Sequence, residues 1–386
     1  FVDLGSHSIL QLRLAANLSK ALSVTVPLCC IIESSSLREL GLAVDTLARQ
    51  EAEIESMPEL EPRLEEHDLS PVEIDWYHKY QSATCTTAFN VPFVCQLDSS
   101  VDRHRLANAW NVVLSRHIML RSRFIISDGR IQRTYLEPPP TVNEVEAADI
   151  WQLINRPFHV DSDHLVSVTI SRSRLVEVIS HLICDLTTLQ IFQREVLAGY
   201  LRLKLPKLGK KHTESAAWRR RADPNTLDFW STYLSGVPTQ NKLNQTAQEA
   251  LHQGTTRVLE VSNALYNSMR DTAKKYAVTL HQFALATVAI SLNPGVQGVD
   301  IVLGAPFRNR DATEEMDMVG LFLEPLPVRL RLDDNQSSTK AILQSMRSSS
   351  QSALGHTVPW HKLLDHLKID RLAHQPLFNS VVTLHE

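Results

Sequence analysis

The order of apolar patterns predicts an α+β chain built as a small helical module, a tether and a two-part body. Three observations carry this expectation. Residues 1–48 read as a turn followed by helices, with apolar side chains at helical spacing. Residues 49–67 form an acidic stretch with two prolines, too poor in apolar residues to fold alone. From Leu69 onward, period-two runs alternate with amphipathic helical segments over a length that suits two lobes.

The elements follow in order. Ile9, Leu10, Leu12, Leu14 and Leu18 make a helical stripe, and a second helix is predicted over Ser36 to Arg49. "FNVPFVCQLD", from Phe89, reads as a strand. "VDRHRLANAWNVVLSRH" is helical, with Leu106, Trp110, Val113 and Leu114 on one face. "LRSRFIIS" and "RIQRTYLE" bracket Asp128-Gly129, a hairpin signal. "HLVSVTIS" and "RLVEVIS" are two further strands. The first lobe is placed at 68–236 and the second at 237–386. The second holds helices near Asn263 to Tyr276 and Leu280 to Leu292, a buried strand "VDIVLGAP" and a helix near Thr339 to Ala353.

Composition narrows the function. A net charge of −4 gives no global field that would draw nucleic acid. The basic loop Lys204, Lys207, Lys210 and Lys211 reads as a solvated surface segment. Five cysteines without CxxC spacing argue against a disulfide framework and fit a reducing, cytoplasmic setting. The longest apolar run, "LHQFALATVAISL", falls short of the roughly 20 residues a membrane span needs. No metal-ligand spacing is present. The chain lacks an initiator Met and begins inside a motif, so a piece of something longer is expected.

That motif is "DLGSHSILQLRL", from Asp3 to Leu14. Ser8 stands where a turn becomes a helix. Partnerless N–H groups and the positive dipole end make such a place comfortable for a phosphate diester. The same serine also reads as an ordinary N-cap. "FVDLGSHSILQLRLAANL" resembles the attachment loop of the thiolation, or peptidyl carrier, domains of nonribosomal peptide synthetases. Asp3, Leu4, Gly5, His7 and Ser8 match, and Ser6 replaces a second glycine. The resemblance implies that Ser8 carries covalent 4′-phosphopantetheine, installed by a phosphopantetheinyl transferase, and that residues 1–48 are part of a carrier domain.

A second motif, "SHLICDLTTL", begins at Ser180. A histidine just past a strand end, with a carboxylate four residues on, suits acyl transfer. Imidazole is largely neutral at neutral pH, and a positioned base of this kind is typically worth about 10²–10⁴-fold in rate. Alone, the pattern arises easily among 16 histidines.

Its neighbours strengthen it. "LSPVEIDWY" resembles the opening Ser-x-x-Gln motif of the condensation domains of the same synthetases, with Glu73 off pattern. "RHIMLRSRF" resembles Arg-His-Glu-x-Leu-Arg-Thr-x-Phe, with Ile118 for the glutamate. "SHLICDLTT" stands in the place of His-His-x-x-x-Asp-Gly. "LGAPFRNR", "VGLFLEPLPVRL" and "RLAHQPLFNSVVTLHE" resemble the Gly-x-Pro-x-x-x-Arg, Gly-x-Phe-Val-Asn-Thr and Arg-x-x-x-x-Pro-Leu-Phe blocks, in the family's order.

The resemblance implies two chloramphenicol-acetyltransferase-like lobes in a V, with an active site between them. It implies that His181 serves the attacking nucleophile and that Asp185 is a structural aspartate held by an arginine, for which Arg121 is the candidate. Ser180 takes the first motif position, a form similar to terminal, cyclising condensation-like domains of fungal synthetases. Leu186 replaces the glycine after the aspartate, and Glu324 and Pro325 replace the late Asn and Thr. The implied partners are carrier-bound aminoacyl or peptidyl thioesters and the adenylation and carrier domains of the same synthetase. The implied reaction is amide-bond formation in secondary metabolite biosynthesis, leaning toward terminal cyclisation and release. Ordinary elongation between modules and a non-catalytic docking domain are the alternatives.

Overall fold

The computed structural model describes residues 14–15, 17–19, 21–22, 26, 30–31, 34, 36–53, 64–215, 224–237, 256–292, 299–310, 313–332, 338–369 and 377–384. Among them, the small module keeps an apolar cluster of its own: Ala15, Val26, Ile31, Leu40 and Val44. Its helix α1, Leu37–Glu53, starts where Ser36 Oγ accepts from the Glu39 N–H at 3.2 Å. The helix crosses the expected boundary at 48 and enters the segment read as a linker. Ala, Arg, Gln and Glu are strong helix formers, so an acidic composition by itself does not end a helix.

The first body opens with α2, Pro71–Ser82, and continues through β1, Asn90–Gln96, and α3, Arg103–Arg116. The hairpin β2–β3, Ser122–Ser127 with Arg130–Tyr135, turns at Asp128 and Gly129, both at positive φ, 51° and 72°. Asp-Gly is the pair that admits this turn most readily. A short strand β4, Asn143–Glu144, and helix α4, Ile150–Ile154, lead into β5, Val166–Ile170, and β6, Arg174–Ser180. The sheet order is β1-β6-β5-β4, with β6 antiparallel to both neighbours and β4 parallel to β5. Helix α5, Leu186–Tyr200, packs on α3. Trp110, Val113, Leu114 and Phe192 share a buried cluster with Val168, Ile170 and Ile179 of the sheet.

The second body has a separate core. Helices α6, Pro224–Tyr233, α7, Asn263–Lys275, and α8, Leu280–Leu292, precede the strand β7, Val299–Phe307. Strand β8, Glu324–Leu332, pairs antiparallel with all of β7, and α9, Thr339–Gly355, covers the pair. Helix α10, Trp360–His366, closes the core and touches α2. The expected lobe boundary after residue 236 is corrected. Trp230 and Leu234 belong to the second core, and the Trp230 indole N–H donates to the His356 carbonyl at 2.7 Å. Their aromatic and apolar side chains decide the assignment, whereas Gly236 (φ 66°) marks only the turn that follows.

The bodies meet through the segment between β7 and β8. Val319 enters the first core, and Met318, Leu321 and Phe322 pack with Val72 of α2. Among the described residues, no helix is long and apolar enough to cross a membrane.

Candidate active site

The site is built where β6 ends. Ser180 is fully buried; its N–H donates to the Leu165 carbonyl at 2.8 Å, and its Oγ accepts from the Leu182 N–H at 3.4 Å. It therefore shapes the loop from inside and presents no hydroxyl to a cleft. The next backbone N–H, that of His181, donates to the Phe89 carbonyl at 2.9 Å and ties the loop to the edge leading into β1. The imidazole is half-buried. Its Nδ1 is sealed without a hydrogen bond of ordinary geometry. Burial holds the ring below its ordinary value near 6.5, against the upward pull of Asp185 and the backbone of His181 and Cys184. At neutral pH it is a free base.

Trp76 of α2 lies along the face of that imidazole, with ring centroids 4.2 Å apart and planes 19° from parallel. Phe89 meets the indole edge-on at 5.9 Å, and the Lys79 ammonium stands 5.4 Å from the indole centroid.

Asp185 caps α5, with Oδ1 accepting from the Thr188 N–H at 2.9 Å. Its partner is Arg310, just past β7 in the second body. Nη2 of Arg310 donates to Oδ2 at 2.9 Å and to Oδ1 at 3.0 Å, and Nε donates to Oδ2 at 3.2 Å. The fully buried guanidinium also donates to the carbonyls of Met318 and Gly320, at 2.7 and 3.1 Å, and stacks 4.0 Å over Phe322. Phe322 N–H donates to Asp185 Oδ2 at 3.3 Å. Two buried charges are thus matched across the two bodies with their hydrogen-bonding capacity used, the condition under which such a pair is tolerated.

Arg121, the arginine expected to hold Asp185, does something else. It leads into β2 and pairs with Glu137, which is exposed. Arg310 is the final residue of the Gly-x-Pro-x-x-x-Arg block. What the sequence lacked was any signal joining two residues 125 positions apart. Leu186, at the place of a motif glycine, is the first residue of α5, is exposed, and is not among the positive-φ residues. The backbone there asks for no glycine. Ser8 lies outside the described residues.

The opening motif is a helix start. The Ser70 N–H and Oγ donate to Glu73 Oε2 at 2.9 and 2.8 Å, and the Glu73 N–H donates back to Ser70 Oγ at 3.3 Å. This capping box accepts Glu or Gln equally. Burial opposes the Glu73 charge, but Arg133, at 2.5 Å, with His212 and Ser70 holds the carboxyl below its ordinary value. The capping box and its ion pair root α2, and hence Trp76, against the hairpin.

Set against known proteins, the chain matches the family model "Condensation domain" over residues 67–386. It is 36% identical over 389 residues to nonribosomal peptide synthetase ataP of Aspergillus terreus, all of this chain and 25% of that protein. It is 38% identical over 417 residues to nonribosomal peptide synthetase criC of Aspergillus cristatus, all of this chain and 20% of that protein. The chain therefore spans about a quarter or less of the length of these relatives. Its fold is similar to the condensation domain of the monacolin K polyketide synthase MokA, with a TM-score of 0.69 at 20% identity, covering 83% of this chain and 81% of that one.

Proposed function

Since the chain belongs to the condensation-domain family, we propose that it forms an amide bond from an acyl or peptidyl thioester within a fungal nonribosomal peptide synthetase, with His181 as the base. The observation that carries the reading is the placement of His181. A neutral imidazole with its Nδ1 buried follows β6 directly, four residues before an aspartate held to the second body by Arg310. An amine attacks the thioester carbonyl, and His181 Nε2 takes the proton that the nitrogen sheds. The C–N bond forms, the C–S bond breaks, and the proton passes to the departing thiolate. A thioester is already activated, so the step needs no further energy source. Asp185 does not touch the reacting atoms in this scheme; its ion pair fixes the loop that bears His181.

The finer reading is that the amine belongs to the same tethered chain, so that the product leaves as a ring. It is supported by the Ser180-His181 form of the motif. The carrier role of Ser8, loaded with 4′-phosphopantetheine, rests on the resemblance of residues 1–48. It predicts a mass gain on incubation with coenzyme A and a phosphopantetheinyl transferase that Ser8→Ala abolishes.

The test of the reaction supplies N-acetylcysteamine thioesters of amino acids and dipeptides, with and without a free amine, and follows products by mass spectrometry. We expect an amide product that falls about 10²–10⁴-fold in His181→Ala. A cyclic product without added amine supports ring closure, and a linear product only with added amine points to elongation. Free acid alone would mark a hydrolase. Equal inactivity of both proteins toward every thioester would overturn the catalytic reading in favour of a docking domain.

A further inference from the structure

We propose that Trp76 is the positioning residue of His181: its indole fixes the plane of the imidazole and keeps water from one ring face, so that Nε2 meets the substrate in one orientation. The inference rests on the assignment of His181 as the base. A catalytic base is ordinarily oriented by a third group, most often through a hydrogen bond to its other nitrogen. Here that nitrogen, Nδ1, is buried without a side-chain partner or a hydrogen bond of ordinary geometry, and only the backbone of His181 and Cys184 acts on the ring as a polar neighbour. The ring is instead held by its face. The stack on Trp76, at 4.2 Å and 19°, leaves the imidazole little freedom to tilt.

The support is itself anchored. Phe89 braces the indole edge at 5.9 Å, while its own carbonyl takes the His181 N–H. Tyr80, one turn further along α2, packs on Phe89 at 5.4 Å. The capping box pins the start of the same helix. The charged groups near the ring come from two elements. Asp185 at the start of α5 favours protonation of His181; Lys79 on α2, with Asp75 beside it, opposes it. The indole face adds a term that appears only when the imidazole becomes cationic, since an aromatic face attracts a cation. That attraction favours the protonated ring formed during attack and pulls against the burial that keeps the resting base neutral.

Trp76→Leu removes the flat face and keeps an apolar side chain; Trp76→Phe keeps a smaller one. The reaction is followed with the thioester assay, and His181 is followed by NMR of the full chain carrying labelled histidine, its signal assigned with His181→Gln. In the unsubstituted protein the His181 ring protons should be shifted upfield by the indole ring current. We expect Trp76→Leu to lose that shift, to lower kcat about 10- to 100-fold with KM within about 3-fold, and to move the pH profile together with the His181 titration. Trp76→Phe should recover most of both. An unchanged His181 signal, or an unchanged kcat and pH profile in Trp76→Leu, overturns the proposal. Should the unsubstituted protein show the ring-current shift but form no amide, the assignment of His181 as base fails while the stack stands.

Discussion

Glu177 should make the first body less stable as pH rises, and Glu177→Gln should remove that dependence. The residue sits mid-strand in β6, opposite Phe93 of β1 and Val168 of β5, on the face that packs into the core. It is 1% exposed, and its Oε1 has no hydrogen-bond partner. Burial alone pushes its pKa from 4.5 to about 8. The folded form therefore holds a proton that the unfolded chain gives up above pH 4.5. Between these two values the native state binds more protons, so stability is full below pH 4.5, falls as pH rises, and levels off above about 8. At roughly 1.4 kcal/mol per tenfold change in proton activity, the whole window is worth about 5 kcal/mol. Glutamine keeps the shape and cannot ionise. The stability of Glu177→Gln relative to the unsubstituted protein should thus improve steadily between pH 5 and pH 8. Urea unfolding at half-unit pH steps measures this, with hydrogen exchange of β6 amides locating it in the first body. A difference between the two proteins that stays constant across that range refutes the reasoning.

Other expectations concern the ion pair and the packing. Arg310→Ala leaves Asp185 buried without its cation and should cost about 3–5 kcal/mol, read from denaturant midpoints, with amide formation falling alongside. Arg121→Ala loses only a pair with exposed Glu137 and should change stability by less than about 1 kcal/mol and the reaction not at all. Glu73→Gln restores the family's residue and keeps the capping box, but it strips buried Arg133 of its carboxylate; a loss of about 3–5 kcal/mol is expected in thermal or urea unfolding. Gly304→Ala drives a methyl into the Phe378 ring and should cost about 1–3 kcal/mol by the same measurements.

Much of the fold was legible because its signals are local. The Asp128-Gly129 hairpin, the helix stripe through Trp110 and the buried strand ending at Phe307 each declare themselves within a few residues. The same holds for His181, whose place at a strand end follows from "RLVEVIS" running directly into it. What stayed hidden depends on residues far apart in the chain. Arg121 is the partner the sequence suggests for Asp185, and only the crossing of the second body onto the first brings Arg310 there instead. Trp76 carries no sequence signal of its own, and only the fold lays it on His181. Glu177 interrupts an otherwise apolar run, Leu175 to Ile179, in a strand buried on both faces, the one local sign that something unusual is buried there.

The departures from the family's motifs then resolve into two kinds. Most motif positions do structural work, and a substitution survives where neighbours supply what it lost or what it now needs. Glu73 brings a buried charge and finds Arg133. Leu186 opens a helix with its side chain toward solvent, so a glycine is not required. Glu324, where an asparagine is usual, accepts the Trp360 N–H at 3.2 Å, one of the orphan donors at the start of α10. Ser180 is enclosed and serves its own loop. None of these side chains is among the groups that stack on or act on the His181 ring. Motif mismatch at structural positions therefore argues little against the proposed activity, whereas a change at Trp76 or His181, small as a sequence difference, would act directly on the proposed base.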